Sequence, residues 1–211
     1  MTRPRLPVLG LIGAMGAGKS TAARCFARRG AHAVDCDRLG HVALGEPAVL
    51  ARLVERWGNR ILHVDGAPNR RAIGAIVFAD GEERRWLEGV VFPAIGARVS
   101  VEMAKAVDDP AVRFVVLDAA VLLEAGWGDR CDRIVYVDAP EALRRERVLV
   151  RSGWSEAELA RREAAQWPAE VRMARADAVI ANGGAEVDLQ ACVDRLLKEW
   201  GWIEEKERND G

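Results

Sequence analysis

The sequence predicts an α/β fold, a three-layer core in which a parallel five-stranded sheet carries helices on both faces. Three observations predict it. Short apolar runs bounded by glycine or aspartate recur along the chain, helical patterns separate them, and the first run passes through a glycine-rich turn into a helix. Strands that alternate with helices imply right-handed crossovers and a parallel sheet.

The first run is Val8 to Ile12, which ends in Gly13. From Lys19 to Arg29 a helix places Ala22, Ala23, Phe26 and Ala27 on one face and stops at Gly30. A second apolar step, Ala33 to Val34, leads into Asp35-Cys36-Asp37. Two longer strands, Phe114 to Leu117 and Ile134 to Val137, end in Asp118 and Asp138, and Ala178 to Ile180 is the fifth. Leu189, Val193, Leu196, Leu197 and Trp200 form the stripe of a last helix.

Nearly eighty residues separate the second and third strands, too many for one crossover helix. An inserted helical region is therefore predicted, over about residues 40–108. Pro47 opens a helix with Val49, Leu50, Leu53, Val54 and Trp57 on its apolar face. Further helices are expected over Arg70 to Phe78 and Glu82 to Val107, the last interrupted near Pro93. The region reads as a substrate-covering subdomain of one domain spanning 1–211. After the fourth strand, Glu141 to Arg151 is a basic helix, and Ser155 with Glu158 makes a capping box for a helix running toward Gln166. Joined by Ser152-Gly153-Trp154, these two helices read as a hinged lid over about 144–170. The charged tail from Glu204 to Gly211 is expected to fray.

Composition narrows the function classes. Half of the 211 residues are hydrophobic, enough to bury a core. Lys+Arg number 31 against 32 Asp+Glu, a net charge of -1, so no overall basic field exists to hold nucleic acid or an anionic membrane. No apolar run approaches the ~20 residues of a membrane span, and the N-terminus lacks a signal core. A cytoplasmic monomer is the expectation. The four cysteines (Cys25, Cys36, Cys131, Cys192) lie far apart with no C-x-x-C pair, which suggests free thiols rather than a zinc or redox site.

Gly13-Ala14-Met15-Gly16-Ala17-Gly18-Lys19-Ser20 fits G-x-x-x-x-G-K-[ST] between a strand and a helix, the setting of a phosphate-binding loop. Small residues let backbone N–H groups turn onto a β-phosphate, Lys19 reaches the β/γ oxygens, and the Ser20 hydroxyl can ligate Mg²⁺. Phe114 to Asp118 reads as a Walker B strand whose carboxylate faces the metal region. Asp35 and Asp37, two apart in an extended segment, would face one side at the carboxyl edge of the sheet, where either could orient or deprotonate an acceptor hydroxyl; a solvated strand end or a helix cap is the alternative. No N-K-x-D reads guanine, and there is no room for motor elements. A small-molecule kinase fits best, with Arg144, Arg145, Arg147 and Arg151 as lid cations or surface ion-pair partners.

A series of blocks in order, from GLIGAMGAGKST and VDCD through DGAPNRRAIGAIVF, LEGVVFPAI, LDAAVLLEAGW, DRIVYVDAP and the lid-like RVLVRSGWSEAELARREAAQ to ADAVIANGG, resembles the dephospho-coenzyme A kinase family over about Leu9 to Gly184. The resemblance implies phosphorylation of the ribose 3′-hydroxyl of dephospho-CoA, with ATP and Mg²⁺, on a P-loop core with a helical substrate domain and a lid. It implies an ATP site at Gly13 to Thr21 with Arg151 on the phosphates and Asn182 by the adenine. Asp37 would be the base, supported by Asp35, with His41, Arg71 and Asp118 on the acceptor and Ser20 and Asp118 on the metal. The chain departs from the family's usual residues at Ile12, His41, Asn69, Phe92, Ala120-Val121 and Ser152, several of them in the acceptor half. Another P-loop kinase, acting on a nucleoside monophosphate or a small hydroxylated metabolite, is the runner-up; a non-catalytic nucleotide sensor is the third reading.

Overall fold

A computed structural model of the protein describes residues 5–204, so the charged tail beyond Glu204 lies outside the described residues. Five strands, β1 Val8–Gly13, β2 Ala31–Asp35, β3 Phe114–Asp118, β4 Arg133–Asp138 and β5 Ala178–Ala181, form one sheet in the order β2-β3-β1-β4-β5. Every pairing is parallel, with Leu11 opposite Asp118 and Gly13 opposite Val137. All five predicted strands are present, each lengthened by a residue or more.

Strand alternation sorts the core into two layers. Leu9, Leu11, Phe114, Val116, Val135 and Val137 face α1 (Lys19–Ala27) and α9 (Glu186–Glu199), meeting Phe26, Leu189 and Val193. Val8, Ile12, Val115, Leu117 and Tyr136 face the other way, toward the inserted helices. Gly10 lies on that second face, where a Cβ would come within 2.9 Å of Cys131 Sγ and 3.1 Å of Leu122. The central strand thus keeps a gap that its neighbours fill.

The insertion holds α2 (Cys36–Leu44), α3 (Pro47–Trp57), α4 (Arg70–Val77) and α5 (Gly81–Asp108). Two expectations change here. Asp37 does not continue an extended segment, because β2 ends at Asp35 and the Asp35 side chain accepts the Arg38 amide at 2.8 Å, capping α2. The helix also does not break at Pro93; α5 runs through it for 28 residues. Buried Val90, Val91, Ile95 and Val99 flank the proline on both sides, and their packing holds the axis despite the lost backbone bond. Beyond β4 come α6 (Glu141–Ser152), α7 (Glu156–Glu163) and the short α8 (Ala169–Met173). Gly153 takes the left-handed conformation that ends α6, and Ser155 Oγ accepts the Glu158 amide at 3.2 Å to start α7. No helix of the described residues is long and apolar enough to cross a membrane.

Candidate active site

The carboxyl ends of β1 and β3 and the start of α1 converge on a cleft of about 660 Å³, within the range of small-molecule sites. Side chains of Asp35, Asn69, Asp80 and Ser155 cap α2, α4, α5 and α7, whereas α1 begins after Gly18 with no side-chain cap and no acidic residue in its first turn. Its first amides and its positive dipole end are left to an anion.

The loop is held in this shape from outside. Gly16 and Gly18 adopt φ of 75° and 87°, and a Cβ on either would collide, with the Arg144 carbonyl in one case and the Asn182 side chain in the other. Asn182 is buried, and its side-chain amide donates to the Ala17 carbonyl at 2.7 Å. Arg147 Nη1 donates to the carbonyls of Asn182 at 3.2 Å and Gly16 at 3.4 Å. Among the residues expected around the nucleotide, Lys19, Ser20 and Thr21 of α1, Arg151 of α6 and Asn182 line the cleft together with Gly16 and Gly18. Gly13, Ala14, Met15 and Ala17 form the rest of the loop; Ala17 donates its amide to the Ala14 carbonyl at 3.1 Å.

On the opposite wall, Asp37 comes from the first turn of α2 and Asp118 from the end of β3. Ser20 Oγ donates to Asp118 Oδ2 at 3.3 Å, while Asp118 Oδ1 is buried without a partner. Burial pushes the Asp118 carboxyl up to about 6; Lys19 and the Ser20 hydrogen bond oppose the rise, and Asp37 and Asp35 add to it. At this carboxyl the folded chain keeps a proton that the unfolded chain gives up between about pH 4 and pH 6. This group favours the folded state below its unfolded value, and the advantage is lost as the pH rises through about 6. Asp118→Asn should raise the melting temperature of the nucleotide-free protein by roughly 4–8 °C at pH 8, from a relief on the order of 2 kcal/mol, with little change at pH 4. Melting curves across that pH range check it; an equal shift at both ends would contradict the burial account.

Not every expected side chain enters the cleft. Asp35 spends its carboxylate on the α2 cap, and His41 stands one turn along α2 from Asp37, its imidazole drawn below the ordinary value by partial burial and by Arg70. Arg71 lines a neighbouring cavity instead. Of the four arginines on α6, Arg147 and Arg151 line the cleft; Arg145 turns away to ion pairs with Glu141 and Glu156, and Arg144 donates to the Ala139 carbonyl at 3.2 Å.

One functional residue escaped the sequence. Arg172 of α8 is only 5% exposed, and its Nη1 donates to the Gly13 carbonyl at 3.1 Å at the root of the loop. Its Nε is buried without a partner, and its guanidinium makes no ion pair among the described residues. The signal was an arginine in a short segment just before the last strand, with no pattern to set it apart. Because no carboxylate would be stranded, Arg172→Met should leave the fold standing. It should weaken ATP binding about tenfold, the scale of one charge-assisted hydrogen bond holding the loop. Calorimetry with ATP, alongside circular dichroism, reads both effects.

The departures from the family's usual residues are absorbed locally. Asn69 caps α4 by accepting the Ala72 amide at 3.1 Å, the task an aspartate performs there, and Phe92 packs edge-on against Trp127 at 5.9 Å. Ser152 donates to the Val148 carbonyl at 2.7 Å. Ala120 acts through its backbone, its amide 3.4 Å from Asp37 and its carbonyl 3.5 Å from Gln166. Ile12 is buried in the layer that faces the insertion.

The fold has solved counterparts. TT1252 from Thermus thermophilus superposes with a TM-score of 0.75 at 34% identity, covering 92% of this chain and 98% of that one. A dephospho-CoA kinase from Campylobacter jejuni superposes at 0.64 over 92% of this chain and 96% of its own, but at 22% identity it speaks for the fold alone. In sequence, the dephospho-CoA kinase of Methylococcus capsulatus is 40% identical over 198 residues, 93% of this chain and 98% of that protein. A family model described as dephospho-CoA kinase matches residues 7–188, a span that takes in the loop, Asp37, Asp118, Arg151 and Asn182. With loop, carboxylates and matched span in agreement, the chain belongs to the dephospho-CoA kinase family.

Proposed function

We propose that this chain transfers the γ-phosphoryl group of ATP to the ribose 3′-hydroxyl of dephospho-CoA in the cleft between α1, α2 and α6, as a cytoplasmic monomer. One observation carries the reading: Asp37 lines the same cleft as Lys19 and Ser20, so an acceptor carboxylate faces a phosphate-binding loop. Lys19 neutralises charge on the β/γ oxygens, with the α1 N-terminus and loop amides holding the phosphates in place. Asp37 aims the 3′-hydroxyl at the γ-phosphorus and accepts its proton as transfer proceeds. Arg151 brings a guanidinium from the lid formed by α6 and α7, and Asn182 braces the loop beneath the adenine. The helices from α2 to α5 act as the acceptor subdomain.

The Ser20 hydroxyl and the Asp118 carboxylate with its unpartnered oxygen fit a Mg²⁺ ion held mainly by phosphates and water. Such an ion supplies charge neutralisation on the transferring phosphoryl group. Incubation with Mg-ATP and, separately, dephospho-CoA, adenosine, AMP or CMP, followed by ADP release, tests the whole reading. Fast release with dephospho-CoA alone is expected; a faster rate with AMP or CMP would make the chain a different P-loop kinase.

A further inference from the structure

The two helices after β4 stand on two feet. At the near foot, Arg147 of α6 donates to the carbonyls of Gly16 and Asn182, on the phosphate-loop side of the cleft. At the far foot, the connector between α7 and α8 meets the segment that follows β3. There the Trp167 amide donates to Glu124 Oε1 at 2.9 Å, and the Gln166 side-chain amide donates to the Ala120 carbonyl at 3.5 Å. The backbone N–H of the same Ala120 donates to Asp37 Oδ1 at 3.4 Å. A single residue of backbone, just beyond Asp118, thus joins the far foot to the carboxylate of α2.

Packing alone does not account for Gln166. The bond from Trp167 to Glu124 already docks the connector, and Gln166 adds its contact at a cost, because its Oε1 is buried with no hydrogen-bond partner among the described residues. Turning the amide over would set two acceptor oxygens face to face at Ala120, so it is the N–H group that must point there. An apolar side chain of the same length would fill the space without an unmatched oxygen. Gln166 itself stands outside the cleft. At 3.4 and 3.5 Å neither contact in this relay contributes much to the stability of the fold. What the pair sets is the direction of the Asp37 carboxylate, and long bonds of this kind beside a reacting centre tighten when substrate binds.

We infer that Gln166 is a positioning residue for phosphoryl transfer, acting through the Ala120 backbone to aim Asp37 at the acceptor hydroxyl, an inference that rests on the base role proposed above for Asp37. The element that brings Arg151 to the phosphates then also aims the group that receives the proton, so the two sides of the reaction are aligned by one pair of helices.

The test combines Gln166→Met with Asp37→Asn in the full chain, with Mg-ATP and dephospho-CoA as substrates. Gln166→Met keeps the length of the side chain and removes both the donor and the unmatched oxygen, so the melting temperature should hold or rise. Turnover should fall about tenfold, the scale of a slight misalignment of a reacting group, while KM for each substrate stays within about twofold. In the Asp37→Asn background the same change should cost less than about twofold more, because the group it aims is already disabled. A tenfold cost that persists in that background, wild-type turnover in Gln166→Met, or a turnover loss that tracks a lower melting temperature would overturn the relay while leaving the base role of Asp37 intact. Wild-type turnover in Asp37→Asn would instead overturn the base role, and the relay with it.

Discussion

Lys19→Ala lowers turnover by on the order of 10²-fold or more while the fold stays intact, the scale expected for one lost electrostatic stabiliser. Lys19 opens α1 and lines the cleft beside Ser20, and its ammonium works against the burial-driven rise of the Asp118 carboxyl. Removing it takes a positive charge from the phosphate oxygens before and during transfer, so both ATP affinity and turnover fall. It also takes support from Asp118, whose carboxyl should rise further above about 6 and hold its proton more tightly. The variant's residual activity should therefore recover at a higher pH than that of the wild type. Turnover with saturating substrates, with circular dichroism as the check on folding, settles the matter; near wild-type turnover would remove Lys19 from the mechanism.

Asp37→Asn costs roughly 10²- to 10⁴-fold in turnover and leaves ATP affinity nearly unchanged. Proton removal is only part of the barrier in a loose phosphoryl transition state, which is why some activity survives. The substitution is nearly isosteric, and the hydrogen bond that Asp37 accepts from the Ala120 amide, at 3.4 Å, is long enough that its loss moves little. An amide oxygen can replace that acceptor, but the amide cannot take the proton of the 3′-hydroxyl. Turnover with dephospho-CoA and ATP affinity, measured on the same variant, separate the roles. Collapse of ATP affinity with surviving turnover would make Asp37 a metal or nucleotide ligand and pass the base role to Asp118, because Asp35 is committed to its cap.

Much of this was legible because it is written in short-range patterns. The loop needs small residues and a lysine at fixed spacing, and the strands of a buried parallel sheet announce themselves as apolar runs, so β1, β3 and β4 stood out. The family resemblance chose Asp37 and Arg151 from the carboxylates and lid arginines already in view, and added Asn182 by position. What stayed hidden depends on where side chains go in three dimensions. An Asp-x-Asp pair reads equally as extended strand or as cap plus first helical turn, and only the Asp35 contact with the Arg38 amide decides for the latter. Asn182 could be placed near the nucleotide, but not seen to spend its amide on the Ala17 carbonyl. Arg172 meets Gly13 across most of the chain, and neither residue's local sequence refers to the other. The proline in α5 failed as a breaker because burial on both sides of it outweighed one missing hydrogen bond.

The position of β1 in the sheet also bears on how the chain is made. Of the five strands described it comes first in the chain, yet its neighbours are β3 and β4, and Val8 is paired with Val115 roughly a hundred residues downstream. β2, the next strand to appear, pairs only with β3. A nascent chain therefore carries two unpaired strands, one of them the wholly apolar β1, until Phe114–Asp118 has emerged, and β1 gains its second flank only when Arg133–Asp138 follows. The intervening helices α2 to α5 pack largely among themselves and can settle during that wait. The contacts that frame the phosphate loop thus form late, and a ribosome that stalls before β3 leaves the apolar strand β1 without a partner.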